Sequence, residues 1–325
     1  MSASRTVTVK SAVHAPAAAM GFPRHLLSKI LCGCRASTLV CRDGGFDSHV
    51  INAEAACAGC GRSYEIRDGI LRLLPGQLPL GEAAATEQGS RDAGAEGYDG
   101  QFPLEESGQE AALVSGALQG RRFETIMDLA CGTGRITTEL LCHSRSALAV
   151  DFSESSLRLL AQKLPRGANV GLIWSDATQL RLAPGSIHCA VATQLLEHVP
   201  DASRRRALFE AVHSALSPGG HLVLTAYYYS RLRRCLMRPQ EGRHSSDIYY
   251  RRFTEGELER EMEGLFAMER FQPFQVDRRA ARFLRRVPLL GARFENSLVA
   301  DWVGHLFLLS AKRLSASEDD SACVR

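Results

Sequence analysis

Three carboxylates placed at or near the ends of apolar runs are the residues of this 325-residue chain best suited to chemistry. Asp128 lies in Thr125-Ile-Met-Asp-Leu-Ala-Cys-Gly-Thr-Gly-Arg135, just before a turn in which Gly132 and Gly134 let the backbone come close to a ligand. A carboxylate in that place repels a pyrophosphate and suits a ligand that carries positive charge. Asp151 closes Ala147-Leu-Ala-Val-Asp151, and Asp176 closes Val170-Gly-Leu-Ile-Trp-Ser-Asp176. An ionised carboxylate accepts from two hydroxyls at once, or from an amino group, so each is a recognition element. His198 follows the apolar run Ile187–Thr193 and is the candidate acid–base group, because an unperturbed imidazole titrates near neutrality. Five of the ten cysteines, at 32, 34, 41, 57 and 60, form a second centre of interest.

Positioning these residues requires alternating strands and helices. Ile126–Ala130, Ala147–Asp151, Val170–Asp176, Ile187–Thr193 and His221–Thr225 have the short apolar runs of strands buried on both faces. Glu105–Leu118, Ser153–Leu164 and Asp201–Leu216 have helical spacing, with Ser153 and Asp201 as N-caps. The order implies a parallel sheet with its ligand crevice at the carboxyl ends of the strands. Gly76–Pro103, rich in Gly, Ala and acids, is expected to be a linker.

The order and spacing from Tyr98 to Arg313 resemble the class I S-adenosylmethionine-dependent methyltransferases. The resemblance implies an α/β fold: a Rossmann-like, mostly parallel seven-stranded sheet with helices on both faces, its last strand antiparallel and placed here at Trp302–Leu309. It implies that Asp128, Ala130, Gly132 and Gly134 form the donor loop. Asp151 would hold the ribose hydroxyls with Phe152 beside it, and Asp176 would accept from the adenine amine with Ala177 beside it. Gln194 would lie beneath the donor and Tyr98 would cover it. His198 would face the reaction zone as the candidate catalytic residue, needed as a base only where the acceptor must lose a proton.

Cys57-Ala-Gly-Cys60 has the spacing of a zinc knuckle. With the segment Cys60–Pro75 it resembles the end of a zinc ribbon found ahead of some methyltransferase domains, including bacterial ribosomal-RNA guanine methyltransferases. The first half departs from that pattern, since Cys32-Gly-Cys34 is one residue short of C-x2-C. The ligand set Cys32, Cys34, Cys57 and Cys60 therefore competes with one that uses Cys41, and with a ribbon that keeps its fold without metal. The expected division is 1–24 tail, 25–75 zinc-ribbon-like β domain, 76–103 linker and cofactor entry segment, 104–313 methyltransferase domain and 314–325 tail. Loss of the metal is expected to loosen the ribbon and leave donor binding intact.

No run reaches the roughly 18 apolar residues of a membrane span, so an integral membrane protein is not expected, and the chain is placed in the cytoplasm. The N-terminal Ala/Ser/Val-rich stretch has no acid before Asp43, which fits a tail, a transit peptide or a true start at Met20. A net charge of +3 gives no whole-molecule argument for nucleic acid. Arginines interleaved with tyrosines from Tyr227 to Arg252 fit a phosphate, an acidic molecule or a base. The basic stretch Arg278–Leu290 reads as a cap on the domain. The expected acceptor is a small or lipid-like molecule. RNA methylation, with the ribbon and arginines as the RNA surface, and non-catalytic cofactor binding are the alternatives.

Overall fold

The computed structural model describes residues 20–315, apart from 36, 43, 44, 46, 102, 103 and 277–297. The Arg278–Leu290 stretch and most of both expected tails lie outside the described residues. Five strands carry the glycine loop and the carboxylates: β7 (Phe123–Leu129), β8 (Ser144–Asp151), β9 (Val170–Trp174), β10 (Ile187–Thr193) and β11 (Leu216–Tyr227). They pair in parallel, with β7 between β10 and β8. The runs are buried almost without a break, as central strands covered on both faces must be. β15 (Gly304–Arg313) adds antiparallel to β11, and β14 (Phe266–Val276) antiparallel to β15.

On the other side the sheet does not stop at β9. The N-terminal meander of β2 (Leu39–Cys41), β4 (Ala53–Cys57), β5 (Ser63–Arg67) and β6 (Ile70–Arg72) joins it, because β6 pairs in parallel with β9 from Ile70↔Leu172 to Arg72↔Trp174. The result is one mixed eleven-stranded sheet in the order β14-β15-β11-β10-β7-β8-β9-β6-β5-β4-β2. The expectation of seven strands with a separate ribbon is corrected accordingly. A single buried core runs from Leu39, Ala55 and Ile66 in the meander to Leu148, Ile173 and Leu224 in the central strands. Phe22, fully buried, closes over β9 where Gly171 leaves room for its ring: a Cβ there would come within 2.9 Å of it. The shared core and the β6–β9 pairing join the meander to the central sheet.

Two boundaries also differ from expectation. The supposed linker is largely a helix, α1 (Glu82–Tyr98), followed by α2 (Leu104–Ala117). Its alanines favour helix, but its large apolar residues are few, so hydrophobic periodicity misses it. It is held over the sheet by polar contacts: Gln88 Nε2 donates to the Phe152 carbonyl (2.6 Å), and Asp92 Oδ1 accepts from Ser153 Oγ (2.7 Å). Trp302 is not in the last strand but in a short helix, Leu298–Val303. Gly304 makes the change of direction, where a Cβ would stand 2.5 Å from the Ala300 carbonyl oxygen.

Candidate active site

The glycine loop leaves β7 through Ala130, which has φ +57°, and Gly132, at φ +53°. A Cβ built on Gly132 meets nothing within 4 Å, so the backbone there faces open space. Gly134 is different. Its Cβ would lie 2.1 Å from Leu160 Cδ1, so this glycine serves the packing of loop against helix α4 (Glu154–Lys163) and not the cleft. Beneath the loop Asp128 is completely buried. Its Oδ2 accepts from Thr137 Oγ1 (2.6 Å), while Oδ1 has no hydrogen-bond partner. Burial pushes its carboxyl up to about 7. A buried carboxylate oxygen left unpartnered is costly.

Asp151 stands at the end of β8 and is 5% exposed. Its Oδ2 accepts from Gly132 N (2.8 Å) and its Oδ1 from Ser153 N (2.8 Å), so the carboxylate is aimed by the backbone and each oxygen keeps a second lone pair. Burial raises it to about 6, against the pull of those two N–H groups. Phe152 lines the same cleft. Its carbonyl accepts from Trp174 Nε1 (2.8 Å) as well as from Gln88. Asp176 and Ala177 form the next wall. Asp176 already accepts from Thr178 N, Thr178 Oγ1 and Gln179 Nε2, leaving one of its roughly four lone-pair sites for another donor.

Gln194, in the left-handed region at φ +52°, follows β10 into the cleft. Its Nε2 donates to Glu110 Oε2 (2.9 Å), which also receives Arg135 Nη2 (2.5 Å), while Glu110 Oε1 accepts from Thr225 Oγ1 (2.5 Å). Glu110, on α2 and 2% exposed, thus ties three elements beneath the cleft, a role that no spacing in the sequence discloses. Tyr98 closes the cleft from α1, with the Arg91 guanidinium 5.2 Å above its ring.

His198 lies at the far end. Its Nδ1 donates to the Tyr249 carbonyl (2.8 Å), so the neutral ring presents Nε2 as a lone pair. Nε2 is 3.5 Å from Arg91 Nη2 and 3.7 Å from Glu87 Oε1. Burial, with Arg91 adding to it, pushes the ring down to about 4, so it is neutral at physiological pH and a weaker base than the sequence suggests. Glu87 and Arg91 were hidden in the segment expected to be a linker. Their i, i+4 spacing was the one available signal.

The four sulfurs of Cys32, Cys34, Cys57 and Cys60 all lie within 4.8 Å of one another. Cys32 and Cys60 are 3.6 Å apart, as are Cys34 and Cys57. A regular tetrahedron with Zn–S bonds of about 2.3 Å has sulfurs ~3.8 Å apart, so the cluster has the size of a structural zinc site. Cys41 is on β2 and outside the group, which removes the ligand sets that include it.

A family model described as "Methyltransferase domain" matches residues 126–220, the span from β7 into β11. The malonyl-[acyl-carrier protein] O-methyltransferase of Methylococcus capsulatus is 30% identical over 199 residues, which is 60% of this chain and 67% of that protein. The ubiquinone biosynthesis O-methyltransferase of Pseudomonas paraeruginosa is 27% identical over 108 residues, 33% of this chain and 45% of that one. Among solved structures, a 1,6-didemethyltoxoflavin N1-methyltransferase from Burkholderia thailandensis, with 1,6-didemethyltoxoflavin and S-adenosylhomocysteine bound, superposes with a TM-score of 0.53. Its sequence is 18% identical, and the match covers 85% of this chain and 99% of that chain. A complex of DhpI with SAM and HEP gives a TM-score of 0.52 at 20% identity, covering 73% of this chain and 100% of that one. These two likenesses establish the α/β fold. The chain belongs to the S-adenosylmethionine-dependent methyltransferases. It is an enzyme, and the non-catalytic alternative falls away.

Proposed function

We propose that this enzyme methylates a small-molecule acceptor, and that Asp128, Asp151, Asp176, Gln194 and Tyr98 hold its donor. The observation that carries the assignment of the cleft is the orphaned, buried Oδ1 of Asp128 beneath a loop whose Gly132 opens onto empty space. A cationic ammonium is the donor that satisfies such an oxygen best. Asp151 has the lone pairs for two ribose hydroxyls, and Asp176 has one for the adenine amine. Phe152, Ala130 and Ala177 supply apolar walls. When bound, S-adenosylmethionine supplies an electrophilic methyl on a good leaving group, so alignment of the nucleophile provides much of the rate. His198 orients the acceptor through the Nε2 lone pair.

The two curated relatives are named for malonyl-[acyl-carrier protein] and for ubiquinone biosynthesis, which supports a small-molecule acceptor. The RNA alternative gains no support from them. Four thiolates at tetrahedral separations support a structural zinc held by Cys32, Cys34, Cys57 and Cys60. No helix among the described residues is long and apolar enough to cross a membrane.

Calorimetry with S-adenosylmethionine and S-adenosylhomocysteine tests the donor site. Asp151→Ala removes charge-assisted bonds worth about 1.5–3 kcal/mol, so affinity falls by roughly 10- to 150-fold. Wild-type affinity in that variant refutes the placement of the ribose.

A further inference from the structure

Seven large apolar side chains are exposed among the described residues, and four of them, Leu232, Leu236, Met237 and Trp302, belong to two adjoining places in the fold. Leu232 and Leu236, at i and i+4, share one face of the short helix Arg231–Cys235 and its C-terminal cap, where Leu236 N donates to the Leu232 carbonyl (2.9 Å). Met237 follows at once, 89% exposed and at φ +48°. An apolar side chain held in water on left-handed backbone is costly on both counts, and so exposed a residue has little packing to offset it. Trp302 lies on the neighbouring helix Leu298–Val303, which is fastened to the first by Arg231 Nε on Asp301 Oδ2 (2.6 Å). Single exposed leucines are ordinary, but a group of four on adjoining helices marks a contact surface.

The charge around this group has one sign. From Ser230 to Gln240 the chain carries four arginines and no acid. Arg234 and Arg238 are exposed and make no ion pair among the described residues, so their charge faces solvent. Guanidinium heads beside Leu, Met and Trp suit an anionic lipid surface, where headgroup phosphates meet the arginines and the apolar tips enter the acyl boundary. A nucleic acid would use the arginines and leave the apolar tips in water. A second copy of this chain would set like charge against like charge.

The surface is also joined to the cleft. Tyr229 Oη donates to the Arg238 carbonyl (2.8 Å), and Arg252 holds the same turn through Nη1 on the Pro239 carbonyl (3.2 Å) and its backbone N–H on the Gln240 carbonyl (2.8 Å). Gln240 leads into the hairpin of Glu241–Arg243 and Tyr249–Arg251, whose Tyr249 carbonyl holds His198 Nδ1. The exposed apolar group therefore stands at the foot of the element that seats His198.

We propose that Leu232, Leu236, Met237 and Trp302, with Arg234 and Arg238, form a docking surface for a lipid bilayer that carries anionic phospholipid. The enzyme rests on the headgroup layer without crossing it, and the hairpin ties the His198 end of the cleft to the docked face.

Trp302 makes the test direct. The chain has two tryptophans, and the other, Trp174, is half-buried with its Nε1 on the Phe152 carbonyl (2.8 Å) and the Arg72 guanidinium over its ring. The full chain is mixed with vesicles of phosphatidylcholine, with or without phosphatidylglycerol, that carry bromine on their acyl chains. Tryptophan emission should shift to the blue and be quenched on the anionic vesicles only, and Trp302→Phe should remove that response. In sedimentation with unbrominated anionic vesicles, Arg234→Gln/Arg238→Gln should weaken binding by roughly 10- to 30-fold. Leu236→Ser/Met237→Ser should weaken it by about tenfold or more. All four of these side chains are exposed, so the unfolding midpoint and S-adenosylhomocysteine affinity should stay at wild-type values. Wild-type protein that ignores the anionic vesicles, or binds neutral ones equally, overturns the proposal. Vesicle binding without quenching, or binding that survives both double variants, overturns it by placing the lipid contact elsewhere in the chain. Binding of a labelled single-stranded RNA in place of vesicles, lost in Arg234→Gln/Arg238→Gln alone, overturns it by assigning the arginines to nucleic acid. The quenching of the wild type decides the matter even where a double variant fails to fold.

Discussion

Replacing Asp128 by Asn separates binding from stability, since the two should move in opposite directions. The side chain is fully buried, Oδ2 accepts from Thr137, and Oδ1 has no partner. An amide of the same shape keeps the Thr137 bond with its oxygen and turns its NH2 toward the place of the donor's ammonium. Binding then loses a charge-assisted hydrogen bond worth about 1.5–3 kcal/mol, a roughly 10- to 150-fold weaker donor affinity. Folding gains, because a buried unpaired carboxylate costs about 1–3 kcal/mol and the neutral amide costs less. For a chain of this length each kcal/mol moves the unfolding midpoint by about 1.5 °C, so at pH 8 the ligand-free variant should melt above wild type by about 1.5 °C for each kcal/mol gained. The dependence on pH sharpens the test. Because the carboxyl titrates near 7, wild-type donor affinity should rise between pH 6 and pH 8. The variant should lack that component of the rise. Calorimetry at several pH values, with thermal unfolding of the same samples, measures both quantities. A variant that binds the donor as wild type does, or that is less stable than wild type, refutes the reasoning about the orphaned oxygen.

Gly134→Ala should cost about 1–3 kcal/mol of stability, since the new Cβ meets Leu160 at 2.1 Å and the backbone has φ +85°. An unchanged unfolding midpoint would show that the loop and α4 separate freely. Protein purified without chelator should carry about one equivalent of zinc, and Cys57→Ser with Cys60→Ser should lose it. Because β6 pairs with β9 and Gln77 Oε1 accepts from Asp176 N (2.9 Å), that loss should also lower donor affinity. Metal analysis and calorimetry check both halves, and a metal-free wild type ends the zinc assignment. Asp128 and Asp151 titrate at about 7 and about 6, above the ordinary 3.8, so the folded state binds more protons than the unfolded one across that interval. Their contribution to ligand-free stability therefore increases as pH falls from about 7 toward 4. Unfolding curves that lose this component in Asp128→Asn carrying Asp151→Asn would bear that out; an unaltered pH dependence would contradict it.

Much of the cleft was legible because strand, glycine turn and terminal carboxylate are local features with chemical signatures. Asp128, Gly132, Asp151 and Asp176 needed only their neighbours in sequence to be singled out, and the fold sets Gly132, Asp151 and Asp176 around one cleft with Asp128 buried beneath its loop. Glu110 had no such signature. A glutamate at mid-helix is ordinary until the fold puts Arg135, Gln194 and Thr225 around it. Arg91 and Glu87 were hidden for a related reason, since α1 is held by hydrogen bonds and small residues and so lacks the apolar stripe by which helices are recognised.

What the chain determined by itself was the succession of elements and the chemistry at their ends, because propensity, turn geometry and charge act over a few residues. Tertiary structure decided the rest. The four cysteines have the same residue types whether or not they meet, and only the folded meander brings the sulfurs of Cys32, Cys34, Cys57 and Cys60 within 4.8 Å of one another and leaves Cys41 out. Nothing in Ile70–Arg72 distinguishes the last strand of a free ribbon from a strand inside a larger sheet. Its exposed edge found β9, and non-local hydrogen bonds with a shared apolar core made one unit of what spacing alone divides into two.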